Sequence, residues 1–110
     1  MSTHHGLAEA TVVQIHEVFA RFPEVEKAML YGSRAKGNFK PGSDVDLTLL
    51  GANVTHKTLS RIQGELEDGL LPYRFDISIF AELTHADLIE HIRRAGVVFY
   101  EKKPVVGMDH

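Results

Sequence analysis

Residues 32–47 read GSRAKGNFKPGSDVDL. A Gly32-Ser33 corner opens the stretch, and three basic residues, Arg34, Lys36 and Lys40, follow with no acid among them. Pro41-Gly42, suited to the central positions of a type II turn, then leads to Asp44 and Asp46 at the start of an apolar run. Groups that can hold phosphate therefore precede carboxylates that can hold cations. That is the order a metal-assisted nucleotide site requires.

Working outward, Val25 to Tyr31 sets Val, Met, Leu and Tyr between a proline and a glycine, a segment too short for a stable helix, and it reads as a strand. Ser33 to Gly37 reads as a short helical turn presenting the backbone N–H of Ser33 to an anion, and Asn38 to Ser43 as loop. Asp44 to Leu50 is the second predicted strand, its alternation setting Val45, Leu47 and Leu49 on one face and Asp44, Asp46 and Thr48 on the other. Arg74 to Phe80 repeats the pattern, with Phe75, Ile77 and Ile79 opposing Arg74, Asp76 and Ser78. Helices fill the intervals. Val12, Ile15 and Phe19 recur at three- and four-residue steps and predict a helix over Leu7–Phe22 ending at Pro23; Leu59, Ile62, Leu66 and Leu70 predict another over Thr55–Asp68. Thr84-x-x-Asp87 resembles a capping box for a helix running to Gly96, Val97–Tyr100 reads as an edge strand, and the tail Glu101–His110 is expected to fray.

These elements fit one α/β domain over residues 1–110, long enough to bury about two-thirds of the unfolded surface in one core and without room for a second. Apolar residues at 44% and charged residues at 25% exclude a disordered chain. The net charge of −3 argues against binding long nucleic acid, whereas the +3 carried between Tyr31 and Ser43 suits a compact polyanion such as a nucleoside triphosphate. With no cysteine, disulfides, thiolate zinc sites and cysteine nucleophiles are excluded. Of the 7 histidines, His4, His5 and His110 lie near the termini, while His16, His56, His85 and His91 lack metal-ligand spacing and read as surface residues. No stretch approaches the ~18 to 20 apolar residues of a membrane span, and the N-terminus has no signal-type apolar run, so a soluble cytoplasmic protein without membrane contact is expected.

The three acids carry the chemistry. Asp44 and Asp46 project from one face of their strand, roughly 6 to 7 Å apart. Asp76 has the same parity in its own strand, so if the two strands are neighbours all three carboxylates meet on the face away from the core. Clustered carboxylates repel, and a divalent cation relieves the repulsion. Oxygen-only ligands indicate Mg²⁺ or Mn²⁺, with Asp44 and Asp46 bridging two ions and Asp76 completing the set. Asp76 would also take the proton of an acceptor hydroxyl as it attacks the α-phosphate and pyrophosphate leaves. Gly32 permits close backbone approach to the phosphates, Ser33 supplies a hydroxyl and an N–H, and Arg34 and Lys36 neutralise charge. Gly32 to Gly37 also spells G-x-x-x-x-G, but Asn38 and Phe39 follow where a Walker A motif needs Lys and Ser or Thr, so a P-loop is rejected.

The pattern G-S-x-A-x-G, a spacer, then S-D-x-D-L, met at Gly32, Ser33, Ala35, Gly37, Ser43, Asp44, Asp46 and Leu47 with a third acid at Asp76, resembles the polymerase-β-like nucleotidyltransferase superfamily. The short chain is most similar to its minimal, MntA-type branch. That resemblance implies an α/β (α+β) core with a mixed three- to four-stranded sheet and helices mainly on one face. It also implies Mg²⁺ or Mn²⁺ as cofactor, ATP as substrate and a HEPN-domain ribonuclease toxin as partner, inactivated by transfer of AMP to a tyrosine hydroxyl. Two other readings remain open at this point: a non-catalytic antitoxin that masks its partner, and a stand-alone nucleotidyltransferase acting on a small molecule or RNA.

Overall fold

The computed structural model describes residues 5–40 and 42–102. Helix α1 (Glu9–Ala20) leads to strand β1 (Lys27–Tyr31), the one-turn helix α2 (Ser33–Lys36) and strand β2 (Val45–Leu50). Helix α3 (His56–Asp68), strand β3 (Phe75–Ile79), a 3₁₀ turn at Phe80–Glu82, helix α4 (Ala86–Ala95) and strand β4 (Val97–Glu101) complete the described elements. The strands form one mixed sheet in the order β3-β2-β1-β4. β1 runs antiparallel to both β2 and β4, and β2 and β3 are parallel, with α3 as their crossover.

The period-two pattern explains the layering. Ala28 and Leu30 of β1 and Val45, Leu47 and Leu49 of β2 are fully buried. On that face they meet Val12, Ile15, Val18 and Phe19 of α1 and Ile62 and Leu66 of α3 in one core. Full burial of each Val, Leu, Ile or Phe among them contributes on the order of 1.5–3 kcal/mol. α4 is the exception to one-sided packing: its His91 ring stands 6.4 Å from the ring of Tyr31, on the opposite face of β1.

Several boundaries differ from the sequence expectation for local reasons. Leu7 precedes α1 rather than opening it, yet is fully buried as part of the core. Leu70 falls beyond α3, at a left-handed φ of 56°, and is 89% exposed, so the apolar repeat of α3 ends at Leu66. The cap of α4 is His85, whose Nδ1 accepts from the Leu88 N–H at 3.3 Å, in place of the Thr84 box. His16 is half-buried rather than free on the surface: its Nε2 lies 2.6 Å from the Phe99 carbonyl oxygen and its ring packs edge-on against Phe99, tying α1 to β4. β4 is an edge strand, as its sequence implied. The Pro41 half of the expected turn and the tail beyond Lys102 lie outside the described residues.

Candidate functional site

Three strands each place one polar side chain in a single row. Tyr31 of β1 is the register partner of Asp46 in β2, and Asp46 is the register partner of Asp76 in β3. Neighbouring strands lie about 4.8 Å apart, so the two carboxylates stand side by side on the face away from the core. Asp44, one residue before β2 and exposed, shares their parity. One step along the sheet, the Ser78 hydroxyl donates to Thr48 Oγ1 at 2.9 Å, closing the floor beside the acids.

Like charges opposed across a sheet destabilise it. Burial, then the neighbouring Asp76 and Asp44 carboxylates, push the Asp46 carboxyl above its ordinary range, while the Arg34 guanidinium pulls the other way. Burial likewise raises the Tyr31 phenol, opposed by the Ser78 hydroxyl and reinforced by Asp76 and Asp46. The row therefore favours whatever brings positive charge. Among the described residues, however, no three His, Asp or Glu side chains already gather around one point as a ligand set. The two observations are compatible for Mg²⁺, which is commonly held by one or two carboxylates with water and substrate phosphates completing the shell.

Gly32 joins β1 to α2 beside this row. Its backbone takes φ 78° and ψ −155°, a region open almost only to glycine, and a Cβ there would overlap Asp46 Oδ2. Its N–H donates to His91 Nε2 at 3.4 Å. Ser33 then opens α2, half-exposed, and Lys36 is exposed at its end. The loop that follows is closed by two bonds, Lys40 N–H to Ser43 Oγ at 2.8 Å and Ser43 N–H to the Lys40 carbonyl at 2.9 Å.

Arg34 departs from the sequence expectation of a phosphate-facing cation. It is 1% exposed. Nε and Nη2 donate to the Ser43 carbonyl at 3.2 and 2.9 Å, and Nη1 donates to the His5 carbonyl at 2.9 Å. The rings of Phe39 and Tyr73 flank the guanidinium, each 5.2 Å away. These apolar neighbours draw the side chain inward, leaving Ser33 and Lys36 as the α2 groups open to a phosphate. Tyr31 and His91 are the residues beside the site that sequence reasoning missed. Parity with Asp46 was a usable signal for Tyr31, whereas nothing in the spacing of His91 announces the approach of α4 to Gly32.

Comparison with known proteins agrees with this architecture. The family model described as "Polymerase beta, Nucleotidyltransferase" matches residues 13–105. No protein of curated function matches the sequence. Among solved structures, a toxin–antitoxin complex with AMP-PNP is similar at a TM-score of 0.66 and 17% identity, covering 88% of this chain and 76% of the other. The MNT antitoxin structure with the tri-AMPylated HEPN toxin of Shewanella oneidensis aligns at a TM-score of 0.62 and 14% identity, covering 86% and 72%. An MntA–HepT toxin–antitoxin structure gives a TM-score of 0.62 at 14% identity over 86% and 73%. At these identities the shared property is the fold.

Proposed function

The chain belongs to the polymerase-β nucleotidyltransferase family, and from that premise we propose that it transfers AMP from ATP to a tyrosine hydroxyl of a HEPN-type toxin, acting in the cytoplasm as its antitoxin. The observation that carries the reading is the in-register pair Asp46–Asp76 placed against the Gly32 corner. The structural neighbours support the partner: one holds AMP-PNP, and in the Shewanella oneidensis complex the toxin is AMPylated. Residues 1–110 would then serve as one minimal catalytic domain, its acceptor supplied by the partner.

In this mechanism Gly32 and Ser33 hold the β and γ phosphates through backbone approach, an N–H and a hydroxyl, with Lys36 adding charge from the open side of α2. Asp76 accepts the proton of the acceptor hydroxyl while the oxygen attacks the α-phosphorus. The bond from that phosphorus to the pyrophosphate oxygen breaks in line, and pyrophosphate departs. Asp44, Asp46 and Asp76 are the groups that would hold Mg²⁺, with Mn²⁺ as an alternative; such ions supply charge neutralisation and lower the pKa of the attacking hydroxyl. Mass spectrometry of the co-expressed toxin tests the reading. An AMP adduct on a tyrosine is expected with wild type and none with Asp44→Asn/Asp46→Asn. An adduct that survives the double substitution, or a toxin silenced without any adduct, overturns it.

A further inference from the structure

A buried cation normally has a carboxylate beside it, because an uncompensated charge in the interior is costly. Among the described residues Arg34 is the largest fully buried side chain, yet no carboxylate there lies within ion-pair distance of it. Its charge is instead met by carbonyl oxygens and two aromatic faces. These partners come from four separate segments: His5 before α1, Phe39 in the loop after α2, Ser43 at the entry to β2, and Tyr73 before β3. Gly6 passes so close that a Cβ on it would overlap both Phe39 and Arg34. The cradle is thus shaped around this one guanidinium.

Where those segments lead gives the cradle its meaning. Ser43 is the residue before Asp44, and Nε and Nη2 both hold its carbonyl oxygen. Immediately after, the Val45 N–H donates to the Arg74 carbonyl at 2.8 Å, the first bond between the β2 and β3 sides, and Arg74 follows Tyr73. Arg34 therefore touches both strand entries just ahead of the acids they carry.

We infer that Arg34 is a positioning residue, an internal clasp that sets the entries of β2 and β3 and thereby the spacing of Asp44 and Asp46 against Asp76. The inference rests on the proposed role of those acids. Lysine cannot replace it, since an ammonium is a point donor without the planar fork that grips one carbonyl with two N–H groups and stacks between two rings.

The test compares wild type with Arg34→Lys and with Tyr73→Leu, which removes one stacking face and leaves the hydrogen bonds. Three quantities are read on the full chain: amide exchange of Val45 relative to the core amide of Leu47, Mn²⁺ affinity without nucleotide, and AMP-PNP affinity. For Arg34→Lys the Val45 amide is expected to exchange at least ~10-fold faster while Leu47 changes little, a local loosening that mere loss of global stability does not produce. Mn²⁺ affinity should fall about 10-fold although the charge is kept. Tyr73→Leu should move both in the same direction by a smaller factor, and it decides the matter if Arg34→Lys does not fold. Weaker AMP-PNP binding with unchanged Val45 exchange and Mn²⁺ affinity makes Arg34 a phosphate ligand and overturns the clasp. Exchange at Val45 and Leu47 rising together also overturns it. If wild type makes no AMP adduct, the functional reading fails, while the exchange data still decide the clasp.

Discussion

At Gly32 the backbone stands at φ 78° and ψ −155°, and the space a Cβ would need is held by the Asp46 carboxylate. Two separate constraints, conformational and steric, thus converge on one residue. Gly32→Ala is expected to cost roughly 1–3 kcal/mol through the backbone alone. It should also displace Asp46, so AMP transfer falls by more than the loss of folded protein explains. Chemical denaturation alongside a transfer assay at matched folded fraction checks this; full activity in a destabilised variant would contradict it. Arg34 shows the same dependence on surroundings: the residue type admitted phosphate binding, and Phe39 and Tyr73 redirect it inward.

Among the elements, α3 connects the parallel strands that bring Asp46 and Asp76 together, so its two ends matter to the site. At its start Thr55 caps the helix by accepting from the Thr58 N–H at 3.2 Å, and the Thr58 hydroxyl donates to Glu24 at 2.7 Å, fixing the helix to the approach of β1. That bond also holds the Glu24 carboxyl below its ordinary range, so its contribution is present at neutral pH and is lost as the pH falls through the lowered value. At its end the chain turns back through Leu70, a leucine at φ 56° that is 89% exposed and packs little. Relief of the left-handed penalty makes Leu70→Gly stabilising by about 0.5–1 kcal/mol, partly offset by backbone entropy. A thermal midpoint unchanged or lowered in this variant would show that Leu70 makes contacts its exposure does not reveal. The apolar repeat alone places this leucine in the core; the stop at Gly69 removes it.

For the whole molecule, the acid row is a load on the fold without cations. The Asp46 carboxyl is raised above its unfolded value, so it favours folding when protonated, and that advantage is lost as the pH rises through the raised value. At neutral pH in chelator, Asp46→Asn should therefore raise the thermal midpoint, on the order of 2 °C. Divalent cation should reverse the ranking: at 100 times its dissociation constant it adds about 2.7 kcal/mol to wild type and much less to Asp46→Asn. Calorimetry with and without Mn²⁺ measures both, and equal stabilisation of the two proteins would remove the acids from any cation site. No helix among the described residues is long and apolar enough to cross a membrane.

By itself the sequence determined the periodicities that become α1, α3 and the strands, the parity that keeps Asp44, Asp46 and Asp76 off the core face, and the sixteen-residue signature from Gly32 to Leu47. Such features are local, because a side chain's face follows from its place in a period of 2 or 3.6 residues. Only the tertiary structure decided that β2 and β3 are neighbours with Asp46 opposite Asp76, that Arg34 turns inward and that His91 reaches Gly32. Strand partners, buried rotamers and helix docking depend on contacts between residues far apart in the chain, and no local pattern encodes which of them will meet.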